Sequence, residues 1–347
     1  LGVCPPDLRP RLSEKTMLQQ SPLFEEVSIG KPNVKFPAIL SPKDPRCPAG
    51  MTPLRNVAKY ARVVNPIPSA RVAKLGDWMF RTISAHQPSL CRVLTQGEAL
   101  NGLPGVTGLE RLSLSSTAGF GWVHNRPPGT LGKGFHYDVD PETNYLSVSD
   151  PKLQESIDVL TENSLKGIQS EDIYHIDYTK DELVKEKKIT GVRTRIFSGE
   201  PQQYLIVCKR FFGAFGKYVT DFHADLPFKI GMNVRSNEWD AMWKKAARVG
   251  NTGFDGDVFE FDASTHTSLA LECTHAINKW YKLHDEDWKP EDDLARLTLI
   301  EQFFHGKHIA ADMVYQRDHG WTGFQIPLTR KWFLVSGSQC TVMTVLL

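Results

Sequence analysis

Between residues 254 and 281 the chain changes its hydrophobic period, and that change narrows the folds open to it. The stretch 254–261 is short and apolar and reads as a strand, whereas 264–281 follows a helical pattern. In the second stretch Leu269, Cys273, Ala276 and Trp280 fall at i, i+4, i+7 and i+11 and so share one helix face. A strand that runs directly into a helix calls for a mixed fold. The spacing also predicts a mostly helical region over 66–103, ending near Asn101-Gly102. A further helix is predicted over 150–168, opened by Ser149-Asp150-Pro151. An amphipathic apolar run occupies 204–218. By contrast, 1–60 is rich in proline, as in Cys4-Pro5-Pro6 and Pro37-Ala38-Ile39-Leu40-Ser41-Pro42. It reads as extended chain lying on a surface.

A chain of 347 residues is long enough for two or three folding units around a sizeable core. Its net charge of +1 gives no global attraction to nucleic acid, so any such affinity must come from local clusters. The cysteines (Cys4, Cys47, Cys91, Cys208, Cys273, Cys340) show no CxxC pair. This argues against a zinc module or a disulfide framework and fits a reducing compartment. Cys273, His275 and His266 lack a fourth ligand at a fitting spacing and read as helix residues. No run of 18 apolar residues is long enough to cross a membrane as a helix. The chain does not open with Met and closes on the apolar Thr344-Val345-Leu346-Leu347, which reads as a piece of a longer product.

The segment Gly256-Asp257-Val258-Phe259-Glu260-Phe261-Asp262-Ala263-Ser264 carries the main chemical signal. Five extended steps would part Asp257 and Asp262 by roughly 17 Å, too far to share a site. A turn between strand and helix brings Asp262 back toward Asp257. Paired carboxylates at a strand end suit hard divalent ions and phosphoryl transfer. They equally suit a strand end with solvated acids, Asp262 supplying the negative charge a helix N-terminus favours.

Residues 180–210 hold cations at 180, 185, 187, 188, 193, 195, 209 and 210 against acids at 181, 182, 186 and 200. Each cation close to a polyphosphate is worth about 4 kcal/mol before desolvation at an effective dielectric near 20. Arg195 can grip phosphate bidentately, which a lysine cannot. The bland reading is a solvated charged hairpin. Two Gly-bearing loops complete the set. Ser115-Ser116-Thr117-Ala118-Gly119-Phe120-Gly121-Trp122, followed by Gly132-Lys133, offers hydroxyls and free amides for a phosphate backbone, or is an ordinary surface loop. Ser336-Gly337-Ser338-Gln339-Cys340-Thr341 is a Ser-Gly turn running into a helix.

Taken in chain order, these segments resemble motifs G, F, A and B of the picorna-like viral RNA-dependent RNA polymerases, of the dicistrovirus and marnavirus kind. Lys180-Asp181-Glu182-Leu183, the basic stretch, Arg193-Thr194-Arg195-Ile196 and then Arg210-Phe211-Phe212-Gly213 resemble motif F and its sequel. Gly231-Met232-Asn233 and Ser236-Asn237-Glu238-Trp239 resemble the lead into motif A. The likeness spans roughly residues 15 to 345 and implies an α+β right-hand polymerase fold. Fingers would occupy 1–211, palm with motif A 212–300, a fingers insertion 301–333 and the start of motif B 334–347. It implies that Asp257 holds Mg²⁺ or Mn²⁺ and that Asp262 reads the ribose 2′-hydroxyl. Arg195, with Arg193, Lys180 and Lys188, would meet the incoming ribonucleoside triphosphate. Ser336 and Thr341 would hydrogen-bond the ribose or Asp262. Ser116, Thr117, Gly119 and Gly337 would contact the RNA template. The expected partners are template and nascent RNA, a genome-linked protein primer and other replicase proteins, at replication complexes in the host cytoplasm.

Three departures stand out. Ala118 and Gly121 replace the two prolines usual in motif G, and Val335 stands where motif B often has proline. Val345 stands where the family usually has the asparagine that assists Asp262. The Gly-Asp-Asp of motif C does not occur. Asp292-Asp293, after Pro290-Glu291, sits in a polar, loop-like context and does not qualify, so the chain alone is expected to be inactive. A reverse transcriptase is disfavoured because it usually carries a bulky aromatic at the position of Asp262. A non-catalytic RNA-binding or scaffold piece of a viral polyprotein is the alternative from another class.

Overall fold

A computed structural model describes residues 2–4, 8–10, 12–28, 34–61, 66–250, 252–258, 260–311 and 313–316. Its helices are α1 (Phe24–Ser28), α2 (Ser69–Ile83), α3 (Gln96–Asn101), α4 (Pro151–Leu165), α5 (Glu186–Thr190), α6 (Gln202–Asp221), α7 (Asn237–Ala247), α8 (Phe261–Ser264), α9 (Thr267–His284) and α10 (Pro290–Phe304). Its strands are β1 (Gly2–Val3), β2 (Lys35–Pro37), β3 (Tyr137–Val139), β4 (Leu146–Val148), β5 (Tyr174–Thr179), β6 (Leu183–Lys185), β7 (Ile196–Gly199), β8 (Lys307–Ala310) and β9 (Met313–Gln316). The mixture is α+β, with helices and sheet largely segregated.

The core is built on α6. Fourteen of its 20 residues are buried, from Gln202 to Val219, so it is apolar nearly all round and behaves as a core helix. Helices α3, α4 and α10 pack on it, and α9 joins α10 to α2. Buried hydroxyls find backbone partners: Tyr204 Oη donates to the Leu299 carbonyl and Tyr218 Oη to that of Ile83, both at 2.6 Å.

Local chemistry sets the helix ends. Thr95-x-x-Glu98 is a reciprocal capping box opening α3: the Thr95 hydroxyl accepts from Glu98 N, and the Glu98 carboxylate accepts from Thr95 N. Asp150 caps α4, with Pro151 in the first turn where its missing N–H costs nothing. The helical region expected over 66–103 is interrupted between α2 and α3, where Pro88 cannot donate to a helical ladder. The stretch 1–60 is not wholly extended: α1 and the 3-10 helix Pro53–Ala61 form there.

The principal sheet has strand order β1-β9-β8-β5-β7. Strand β5 pairs antiparallel with β7 and parallel with β8, Ile176 opposite Ile309. Strand β9 joins β8 to β1, with Gly2 opposite Val314. Two small antiparallel pairs, β2–β6 and β3–β4, lie apart from it.

One buried charge ties the helices together. No part of the Arg296 side chain reaches solvent. Its Nε donates to the Phe211 carbonyl at 3.0 Å; its Nη1 donates to Asn278 Oδ1 at 3.2 Å and Asp293 Oδ1 at 2.9 Å. Its guanidinium carbon stands 3.5 Å from the Tyr281 ring centroid, a cation–π contact. Burial raises the Asp293 carboxyl above its ordinary pKa, opposed by hydrogen bonds from Trp288 and Arg296. Asp292 and Asp293, expected in a loop, instead open α10 just after Pro290, where acids favour the helix dipole. Arg296→Ala should lower the unfolding free energy by about 3–5 kcal/mol in urea titration, because it takes the guanidinium from the Phe211 carbonyl and Asn278 Oδ1 and leaves half-buried Asp293 with Trp288 alone among the described residues. A loss below about 1 kcal/mol would show these contacts to be incidental.

Candidate active site

The basic stretch is a pinned loop with its charges turned outward. From Val192 to Ile196 the residues alternate: Val192, Thr194 and Ile196 are buried, whereas Arg193 and Arg195 are exposed. The inner face is bonded into the fold. Thr194 Oγ1 donates to the Ile39 carbonyl at 2.6 Å, and Arg193 N donates to the Lys188 carbonyl at 2.8 Å. Lys180 N donates to the Arg195 carbonyl at 2.8 Å, so two of the four expected triphosphate ligands are joined through their backbones. Lys188 sits in α5 and is half-buried, while Lys185 and Lys187 are exposed. Glu182 faces the cluster, its Oε2 3.4 Å from Arg195 Nη1 and 4.0 Å from Lys180 Nζ. Sequence reasoning counted this acid only against the local charge. Its place two residues after Lys180, in the link between β5 and β6, was the available signal.

Lys209 and Arg210 do not belong to the cluster. Lys209 is buried in α6 and donates to the Glu110 carbonyl; burial lowers its ammonium to about 8, with Glu110 opposing. Arg210 donates to Thr161 Oγ1 at 3.0 Å, on the α4 side of the core. Cations next to one another in sequence are divided here between a surface loop and a core helix.

The loop over 113–133 is held against the start of α6. Gln202 N donates to the Ala118 carbonyl at 3.1 Å, and Trp122 Nε1 to Gln203 Oε1 at 2.7 Å. Gly119 has φ +83°, and a Cβ there would stand 2.4 Å from Pro201 Cα, so only glycine fits this approach. Ser116 and Thr117 remain exposed, Ser116 Oγ donating to the Ser113 carbonyl at 3.1 Å. Trp122 is buried and packs edge-on to His136, which removes it as a stacking platform. Lys133 is buried too, and burial lowers its ammonium to about 8.

The strand expected over 254–261 does not form. Residues 252–258 have no regular structure and are exposed, Phe254 and Val258 among them. A strand needs a neighbouring ladder, and among the described residues none pairs with this stretch. Glu260 takes a left-handed φ of 46° and α8 begins at Phe261, so Asp262 lies within a helical turn rather than before one. Ala263 beside it is buried against Tyr60. Helix α9 follows, capped by His266, whose side chain accepts from Ser268 N at 3.3 Å.

Asp257 presents an exposed carboxylate, and among the described residues no group of three His, Cys, Asp or Glu side chains could enclose a metal. Mg²⁺ is commonly held by one or two carboxylates together with water and substrate phosphates, and the exposed carboxylate of Asp257 is a donor of that kind. Ser336, Gly337, Thr341 and Val345 lie outside the described residues.

Comparison with known proteins bears on the whole chain. Residues 23–343 match the family model described as viral RNA-dependent RNA polymerase. The chain is 24% identical over 313 residues to the replicase polyprotein of acute bee paralysis virus, covering 86% of this chain and 16% of that protein. It is 28% identical over 327 residues to the RNA1 polyprotein of Satsuma dwarf virus, covering 90% of this chain and 15% of that protein. It thus spans about a sixth of the length of these relatives. A solved Sicinivirus 3Dpol RNA-dependent RNA polymerase superposes with a TM-score of 0.69 at 20% identity, covering 99% of this chain and 65% of that one. That likeness establishes a shared right-hand polymerase fold. With a family match that runs through the arginine loop, the aspartate segment and the Ser-Gly turn alike, the chain belongs to the viral RNA-dependent RNA polymerases.

Proposed function

We propose that this chain supplies the fingers and part of the palm of an enzyme that copies RNA from an RNA template. In this reading the fingers occupy 1–211, the palm 212–300, a fingers insertion 301–333 and motif B 334–347. The observation that carries it is the outward presentation of Arg193 and Arg195 from a pinned loop, within a chain whose family match covers 23–343. A primer 3′-hydroxyl attacks the α-phosphorus of a ribonucleoside triphosphate, and the P–O bond to pyrophosphate breaks. Arg195 and Lys180 bind the triphosphate and trade their present partner Glu182 for it, so the site binds an anion without first exposing bare cations. The exposed hydroxyls of Ser116 and Thr117 meet the template backbone. Asp257 would hold Mg²⁺ or Mn²⁺, which in a two-metal arrangement would offset the negative charge of the reacting phosphate and ease loss of the proton from the attacking hydroxyl. Asp262 orients the ribose through its 2′-hydroxyl. A genome-linked protein primer and replication complexes in the host cytoplasm belong to the same reading, as does the inactivity of this chain without a Gly-Asp-Asp segment.

In the full-length polymerase, Asp257→Asn should reduce nucleotide incorporation more than about tenfold (~1.4 kcal/mol of barrier) with RNA affinity nearly unchanged. Retention of more than a tenth of the wild-type rate would remove Asp257 from the metal site. Asp262→Ala should lower the preference for ribonucleotides over deoxyribonucleotides, because a site built to bond a hydroxyl rejects substrates lacking it. Val345→Asn should raise that preference. A ratio untouched by Asp262→Ala would return Asp262 to the role of a helix-terminal acid.

A further inference from the structure

We propose that the 3-10 helix Pro53–Ala61 is a strut that sets the position of the arginine loop relative to the aspartate helix, with Asn56 as its positioning residue. The inference rests on the triphosphate reading of that loop. On one side of the strut, Asn56 Nδ2 donates to the carbonyls of Val192 and Thr194, both at 3.0 Å, and to that of Pro53 at 2.9 Å. An amide has two N–H protons, so one of them is shared between acceptors. Arg55 Nη2 adds a bond of 2.6 Å to the Gly191 carbonyl. The carbonyls on both sides of Arg193 are therefore gripped by one side chain, and Arg193 and Arg195 have no choice but to face outward.

The grip holds the backbone where it would not go by itself. Val192 has φ +47° with its side chain fully buried. A β-branched residue rarely enters the left-handed region, and such an outlier persists only where its surroundings over-determine it. Here the determinants are Asn56, Arg55 and the Thr194 hydroxyl on Ile39.

On its other side, the strut touches the aspartate helix. Tyr60 and Ala263 are each 2% exposed and form one small apolar cluster, with Val57 packed against it. Ala263 is the residue after Asp262. A 3-10 helix has three residues per turn, so Val57 and Tyr60 share a face, while Asn56 leaves the axis about 120° away from Tyr60. Four residues rise about 8 Å, and a rod this short bends little. The geometry thus gives an element outside the sequence motifs a direct hold on both segments that carry them.

The test is steady-state incorporation by the full-length polymerase on an RNA primer-template, with Asn56→Ala, Arg195→Ala and the double variant. Asn56→Ala should raise the nucleotide KM about tenfold, with kcat and RNA affinity within about twofold of wild type, because it misplaces the triphosphate ligands alone. On the Arg195→Ala background the same change should add less than about twofold, since Asn56 acts through the arginines. Arg55 is exposed, so Arg55→Ala keeps the fold and should show the same split in smaller measure should Asn56→Ala fold poorly. Additive effects, or a fall in kcat and RNA affinity at unchanged KM, would overturn the strut and leave Asn56 an ordinary packing residue. A normal loss in Arg195→Ala beside an unchanged KM in Asn56→Ala and Arg55→Ala would also overturn the strut alone. An unchanged KM in Arg195→Ala would overturn the triphosphate reading and, with it, any purpose for the strut.

Discussion

A full positive charge at Arg296 is held inside the helical core, and the arrangement of α6, α9 and α10 follows from what it takes to keep it there. Removing a guanidinium from water is costly unless its protons are bonded and its charge is met. Each helix answers part of that demand, α6 through the Phe211 carbonyl, α9 through Asn278 and the Tyr281 ring, and α10 through Asp293, while Nη2 makes no hydrogen bond among the described residues. Tyr281 also accepts from Phe215 N, so both the carbonyl and the N–H of one α6 turn are bonded from outside. Directional bonds of this kind fix the rotation of a helix about its axis, which apolar packing alone leaves loosely specified. The start of α6, where Gln202 and Gln203 receive the loop over 113–133, inherits its orientation from this lock.

The candidate site uses the opposite economy. Its cations are exposed or half-buried, and its acid Glu182 meets them at surface-like distances. Bonds of this class contribute little to stability and exchange readily for another anion. What is rigid is the backbone beneath. Two residues other than glycine take left-handed conformations within these segments, Val192 in the arginine loop and Glu260 just before the aspartate helix. Fixed main chain with replaceable side-chain pairing suits a surface that must bind and release a charged ligand repeatedly.

Features governed by neighbours in sequence were legible, and features governed by distant partners were not. Asp150-Pro151 marked the start of α4, and the apolar period from Leu269 to Trp280 marked α9, because caps and periodicity act within a few residues. The stretch 254–261 carries apolar strand formers, yet whether a strand forms depends on an edge supplied from elsewhere. Lys209 and Arg210 looked like surface charge because apolar neighbours on a wholly buried helix resemble those on an amphipathic one. Only the depth of the surrounding helices decides between them. Asn56 gave no signal at all, since one asparagine in a proline-rich segment matches no pattern. Its importance lies in reaching carbonyls more than 130 residues away.

The strand order β1-β9-β8-β5-β7 also dictates a schedule. Strands β5 and β7 are close in sequence and can pair as soon as both leave the ribosome. The other edge of β5 is closed by β8, which follows about 130 residues later, a delay on the order of ten seconds at ordinary elongation rates. Strand β1 waits longer still, because its partner is β9. Throughout that interval the edge of β5 from Tyr174 to Ile176 stands open to other nascent chains. Such a sheet closes late, by pairing strands that lie far apart in sequence. Its yield in the cell therefore depends on how long that edge can be kept from the wrong partner, as well as on the stability finally reached.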